Sequence, residues 1–224
     1  MKLKFAIVAM VISGLAALSS CIPSAEASKV RNLESKIQIH QFFSSAPEIF
    51  RLPFSTEVRG EVDKASMWKC RAGIEETLNR LPSEISSKLE VLILNFEGGE
   101  RGLADSKTVI LSCDTEKEER LRVFLHEMGH VAYLSSREEL QNEYEKLWEK
   151  SDDGDFVSGY AKENEFEDFA ESFLAFVEFG KSFRSSKSAV LTEKYNFIEE
   201  NFFPDRVYNG GRGDFGLTFD MTKL

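Results

Sequence analysis

Histidine is scarce in this chain, with three among 224 residues, and cysteine is equally rare at three. So few thiols allow at most one internal disulfide. Basic charge is short as well: 28 Lys and Arg stand against 38 Asp and Glu, a formal net charge of −10. A surface of that sign argues against nucleic acid as a partner, because phosphate binding needs clustered cations. After the first twenty residues, themselves too short and too weakly flanked for a stable span, no stretch approaches 18 consecutive apolar residues, so no membrane span is expected and the remainder should be soluble. What is abundant is apolar material: 42% of residues are hydrophobic and 19 are Phe. That is the composition of a globular chain long enough to bury a real core.

The N-terminus is a different material. Lys2 and Lys4 precede the short apolar run FAIVAMVISGLAAL, the pattern of a secretory leader over residues 1–20. Two endings compete. Leu18-Ser19-Ser20-Cys21 resembles the lipobox of bacterial lipoproteins, in which the cysteine is lipidated and becomes the new N-terminus. Ala25-Glu26-Ala27 is a small-x-small site for ordinary cleavage. The lipobox is preferred, since Cys21 follows the apolar run directly. The expected location is therefore outside the bacterial cytoplasm, lipid-anchored at a membrane or cell surface, or secreted. Loss of two lysines and no acids takes the charge from −10 to −12. Cys70 and Cys113 are the remaining thiols, a candidate disulfide in an oxidising compartment. The competing reading is two small buried apolar side chains.

Residues 22–55 read as a tether, rich in Ser and broken by Pro47 and Pro53, and His40 within it is read as a structural or surface residue. The stretch 62–81 reads as one amphipathic helix ended before Pro82, with Ala65, Trp68, Ala72, Ile74, Leu78 and Leu81 on its apolar side. EVLILNF (90–96) reads as a buried strand, EGGERG (97–102) as a loop, and KTVILSC (107–113) as a second strand with Val109 and Leu111 on one face. Thr115 and Glu118 suggest a capping box opening a helix to about Leu134, and Ser136 with Glu139 repeats the signal for the next helix. SDDGD (151–155) lacks EF-hand spacing and reads as a solvated turn. NEFEDFAESFLAFVEF reads as a helix stopped by Gly180, and 191–203 as a last helix before a glycine-rich tail, 204–224. Arg212-Gly213-Asp214 in that tail is weak as an adhesion motif.

Two of the three histidines lie in HEMGH, residues 126–130. Residues four apart on a helix differ by only about 40° around its axis. His126 and His130 thus share a face and can grip one zinc ion, while Glu127 flanks that face within reach of a water on the metal. Gly129 is a poor helix former and invites close approach of another backbone. Zinc peptidase sites use three protein ligands and leave the fourth position for water. No third histidine stands at HExxHxxGxxH spacing, since residues 133 and 136 are Tyr and Ser. A carboxylate is the natural replacement. FEDFAESF offers Glu167 and Glu171 one turn apart, one to bind metal and the other to orient an imidazole. Spacing alone leaves Glu165, Glu167, Asp168 and Glu171 open.

HEMGH, Tyr160 in SGY and EDFAESF together resemble the gluzincin peptidases that include the anthrax lethal factor catalytic domain and the clostridial Pro-Pro endopeptidases, over about residues 90–203. In that family a glutamate opens an E-x-F-A-E motif and is the third zinc ligand, which implies Glu167. The second glutamate of the motif implies Glu171 as the partner of a ligand histidine. A family tyrosine seven residues before the ligand glutamate faces the site, which implies Tyr160. KYNFIEENF resembles the family's closing helix. Asp168 departs from the pattern, standing where relatives often carry an aromatic, and the N-terminal half has no match. The implied fold is α+β and zincin-like: a small twisted mixed sheet on the HExxH helix, with a second, mainly helical lobe carrying the third ligand, over residues 56–203. The implied activity is endopeptidase hydrolysis of a peptide or protein substrate with one Zn2+. Glu127 acts as general base on a water whose pKa zinc lowers toward about 7, and Tyr160 steadies the oxyanion. A strand near the helix, 107–113, is the candidate to hold substrate as an added β-strand. The competing class is a surface-anchored binding or adhesion module with a structural or vestigial zinc site.

Overall fold

The computed structural model describes residues 54–184 and 188–204. Cys21 and the leader, His40 with most of the tether, and the Arg212-Gly213-Asp214 tripeptide lie outside the described residues. The described residues form one compact unit. Its architecture is mixed α+β, with a four-stranded mixed sheet and helices on either side in sequence.

The sheet has the order β1-β2-β4-β3, with β1 Ser55–Arg59, β2 Val91–Asn95, β4 Thr108–Ser112 and β3 Gly102–Ala104. β1, β2 and β4 run parallel, and β3 closes the far edge antiparallel to β4. β2 and β4 are the central pair, and their continuous apolar runs suit strands buried on both faces. Leu92, Leu94, Val109 and Leu111 are fully buried on one of those faces. That face carries the metal-motif helix, α4, Lys117–Leu134. The helix is apolar nearly all round: Leu121, Phe124, Leu125, Met128, Val131 and Ala132 are buried, because it is sandwiched between the sheet and the later helices.

Between β1 and β2 the expected single helix is two. α1, Lys64–Arg71, and α2, Ile74–Arg80, are separated at Gly73, whose φ of 88° is a left-handed conformation that side chains rarely adopt. The break shifts the phase of the apolar stripe. Met67 and Cys70 are buried in α1, while Trp68, expected inside, is 44% exposed. A short α3, Ser83–Ser86, leads into β2.

The helices after α4 are α5, Glu138–Glu149, α6, Glu165–Phe179, a four-residue α7, Lys181–Arg184, and α8, Ala189–Phe202. Neither expected capping box forms. The N-caps of α4 and α5 are Glu116 and Arg137, without side-chain caps, and Ser136 instead donates to the Tyr133 carbonyl at 2.7 Å. By contrast α6 is capped by Asn164, which accepts from the Glu167 N–H, and ends at Gly180 as the sequence suggests. An aromatic cluster of Tyr133, Tyr144, Phe169, Phe173, Phe176 and Phe203 joins α4, α5, α6 and the end of α8. Phe166, in the first turn of α6, is 38% exposed.

Cys70 and Cys113 form a disulfide with a Cα–Cα distance of 5.4 Å. It ties α1 to the segment between β4 and α4, where Arg120 also donates to the Lys69 and Thr115 carbonyls. The bridge spans 43 residues of sequence. Closing a loop of that length constrains the unfolded chain by about 4 kcal/mol in the chain-entropy model. The Cys70→Ser/Cys113→Ser protein is expected to lose about 2–4 kcal/mol, read as a lower denaturant midpoint. An unchanged midpoint would show that the bridge adds nothing to the fold.

Candidate metal centre

The site is built where α4 and α6 cross. A Cβ on Gly129 would lie 2.9 Å from the Ala170 Cα and 3.3 Å from its carbonyl oxygen, so only glycine permits this approach. His126 and His130 stand three residues before and one after Gly129. Glu167 and Glu171 stand three before and one after Ala170. Each pair is therefore one turn apart and straddles the contact point, which brings two imidazoles and two carboxylates face to face.

The result is a triangle of three ligand atoms. His126 Nε2 is 3.1 Å from His130 Nε2 and 3.1 Å from Glu167 Oε2, and His130 Nε2 is 3.3 Å from the same oxygen. A tetrahedral zinc with bonds of about 2.0–2.1 Å holds its ligand atoms about 3.3–3.4 Å apart. The donor set fits in chemistry as well as in size. Nδ1 of His126 lies 2.8 Å from Glu171 Oε1, an arrangement that places a donated N–H there and turns the Nε2 lone pair toward the triangle. Three lone pairs then converge on one point, which is unfavourable without a cation or a proton. Among the described residues, no fourth His, Cys, Asp or Glu joins the cluster.

The electrostatics favour positive charge at this point. Burial opposes ionisation of His126, yet its bonds with Glu167 and Glu171 and their charges outweigh that and raise it to about 9. His130 is held below its ordinary value by burial and by the neighbouring His126 charge. Burial would raise the Glu167 carboxyl, but the His126 hydrogen bond, the two imidazoles and the Tyr160 hydroxyl bring it below the usual range. A metal ion held here would displace a proton from His126.

Glu127 is buried, 6% exposed, on the next residue of the same helix. Burial raises its carboxyl to about 7, with Glu167 and Glu100 adding to the rise against the His126 charge. That is close to the value a general base needs at neutral pH. Tyr160 opens a 3-10 turn, Tyr160–Lys162, half-exposed above the His126 ring at a centroid distance of 5.8 Å. Its hydroxyl bonds with Glu167. An open cavity of about 590 Å³ reaches the centre, lined by Gly102, Arg122, Val123, Glu127, Tyr160 and Leu174 among others.

Of the four acids left open by spacing, the structure brings Glu167 to the metal triangle and Glu171 to His126. Asp168 points the other way. It is wholly buried, 2.8 Å from Lys194 Nζ and 3.1 Å from the Tyr144 hydroxyl, so its charge is balanced by a lysine on α8. Lys194 also donates to the Asp155 carbonyl, which fastens the SDDGD turn to α6 and α8. Glu165 takes no place in the cluster.

The strand proposed to receive substrate is corrected. Thr108–Ser112 is paired on both sides, by β2 and β3, and has no free edge. Among the described residues β3 pairs with β4 alone, so its outer edge next to the site is open, and its first residue belongs to a stretch that reads as a loop. Arg101 O and Asp105 N bond to β4, so by antiparallel alternation the N–H and C=O groups of Gly102 and Ala104 face outward. Two further contributors carried no readable signal. Gly102 looked like turn punctuation. Ser158 bonds with Glu171 and accepts from the Ala161 N–H, which fixes the Tyr160 turn to the carboxylate behind His126.

The contact at Gly129 yields a prediction. Gly129→Val overpacks the crossing and is expected to destabilise the fold by about 1–3 kcal/mol while weakening zinc binding. Denaturant melts with and without zinc read both effects; a variant equal to the parent in each would show that the close approach does not set the site.

No protein-family model matches the chain, and no curated protein matches it.

Proposed function

We propose that this protein is an exported zinc-dependent endopeptidase of the gluzincin type, with a zincin-like fold. The observation that carries the reading is the triangle of His126, His130 and Glu167 with the Glu127 carboxylate beside it, open to a cleft bounded by a free strand edge. Bound between these three ligands, zinc would acidify a water and polarise a peptide carbonyl. The chain's own residues supply the rest. The outward groups of Gly102 and Ala104 pair with the backbone of an extended substrate. Glu127 takes the proton of the attacking water and delivers it to the departing amine. The Tyr160 hydroxyl, at the mouth of the site, donates to the developing oxyanion. Glu171 holds His126 in the tautomer that leaves Nε2 free to bind.

The alternative of a structural zinc clamp is less well supported. A structural site fills all four positions with protein, often cysteine. Here the two cysteines among the described residues are joined to each other. Lipid anchoring through Cys21 is part of the proposal and predicts a palmitate-labelled product. Digestion of a peptide library, abolished by a chelator and restored by zinc, tests the activity. A zinc-loaded protein that leaves every peptide intact would favour the binding module.

A further inference from the structure

We propose that Gly102 is a positioning residue for Glu127: the missing side chain on β3 leaves the volume in which the catalytic carboxylate lies. The inference rests on the peptidase reading. Gly102 is the one glycine within a strand among the described residues. Glycine weakens a strand, and its φ here is not positive, so no backbone conformation demands it. Sterics do. A Cβ at this position would fall 2.6 Å from Val123 Cγ1, 2.9 Å from Glu127 Cδ and closer still to Glu127 Oε1. Val123 is half-buried, but β-branched residues on a helix keep one strongly preferred rotamer, so it does not turn aside cheaply. The Glu127 carboxylate, the far end of a flexible side chain, would swing out of the space between the strand and the ligand triangle, and the 2.6 Å approach to Val123 would have to be relieved by that residue or by β3.

The same residue presents its N–H and C=O to the open edge. Gly102 thus joins two functions at one point: its backbone is available to substrate, and its lack of a side chain makes room for the base. With Val123 trimmed to alanine to relieve the helix contact, a methyl group at this position keeps the backbone groups on the open edge and displaces the base. The two functions then separate in kinetics, because lost transition-state stabilisation lowers kcat while retained ground-state contacts leave KM alone.

The experiment compares the parent with Gly102→Ala, both zinc-loaded. We expect zinc content equal to the parent and KM within about threefold. We expect kcat lower by about 100-fold, the scale of an ångström-sized misplacement of a catalytic group. A crystal structure of the variant should show the Glu127 carboxylate rotated away from β3. Should the methyl group strain the fold, Gly102→Ala/Val123→Ala removes the helix clash and should keep the kcat defect. In the Glu127→Asp background, where the side chain is one methylene shorter, Gly102→Ala should cost under about fivefold, a non-additive pair. A parent that cleaves no peptide defeats the enzyme reading. A parent that cleaves, with a Gly102→Ala variant of equal kcat, an unmoved carboxylate or the same loss in both backgrounds, overturns this inference alone.

Discussion

Glu167→Ala is expected to lower zinc affinity by more than 100-fold and to abolish peptide hydrolysis with it. The reason is geometric. Glu167 Oε2 lies 3.1 Å and 3.3 Å from the two imidazole nitrogens and is the one anionic corner of the triangle. Its removal leaves two neutral ligands for a divalent ion. Glu171 gives the comparison. It touches Nδ1 of His126 at 2.8 Å and stands outside the triangle. Removing such an orienting partner typically costs about 10–100-fold in metal affinity or activity. Zinc titration of the two variants side by side should therefore rank Glu167→Ala well below Glu171→Ala. The reverse ranking would assign the third ligand wrongly.

Glu127→Gln is expected to bind zinc like the parent and to lose at least about 100-fold to 10,000-fold in kcat. The substitution keeps the shape of the side chain and removes its proton-accepting ability. Because Glu127 lies outside the ligand triangle, metal content should not follow activity down. The check is paired: zinc stoichiometry and kcat on one preparation. Loss of zinc in Glu127→Gln would make the residue a ligand, and retained turnover would remove it as the base.

The parts of the site readable in the sequence were those with a local cause. HEMGH declares itself because four residues are nearly one helical turn. Gly129 announces a close neighbour because nothing else favours glycine mid-helix, and Ala170 is that neighbour. Choosing among the acids of EDFAESF needed information from elsewhere in the chain. Phe169 and Phe173 fix which side of α6 is inward, and Lys194, 26 residues beyond Asp168, draws that acid into the core. The family resemblance pointed to Glu167 and Glu171, and the geometry brings those two to the histidines. The single helix expected over 62–81 failed at Gly73, where a left-handed turn restarts the helix out of phase and leaves Trp68 in solvent. β1 and β3 escaped notice because edge strands of three to five residues carry little apolar pattern. The edge proposed to take substrate was therefore the least legible element.

The proposed chemistry depends on one divalent cation held by His126, His130 and Glu167. The most direct test is a crystal structure of the zinc-incubated protein at neutral pH, with diffraction recorded on both sides of the zinc absorption edge. A single anomalous peak within about 2.2 Å of both Nε2 atoms and a Glu167 oxygen is the predicted result. No peak, or one seated on other side chains, would contradict it.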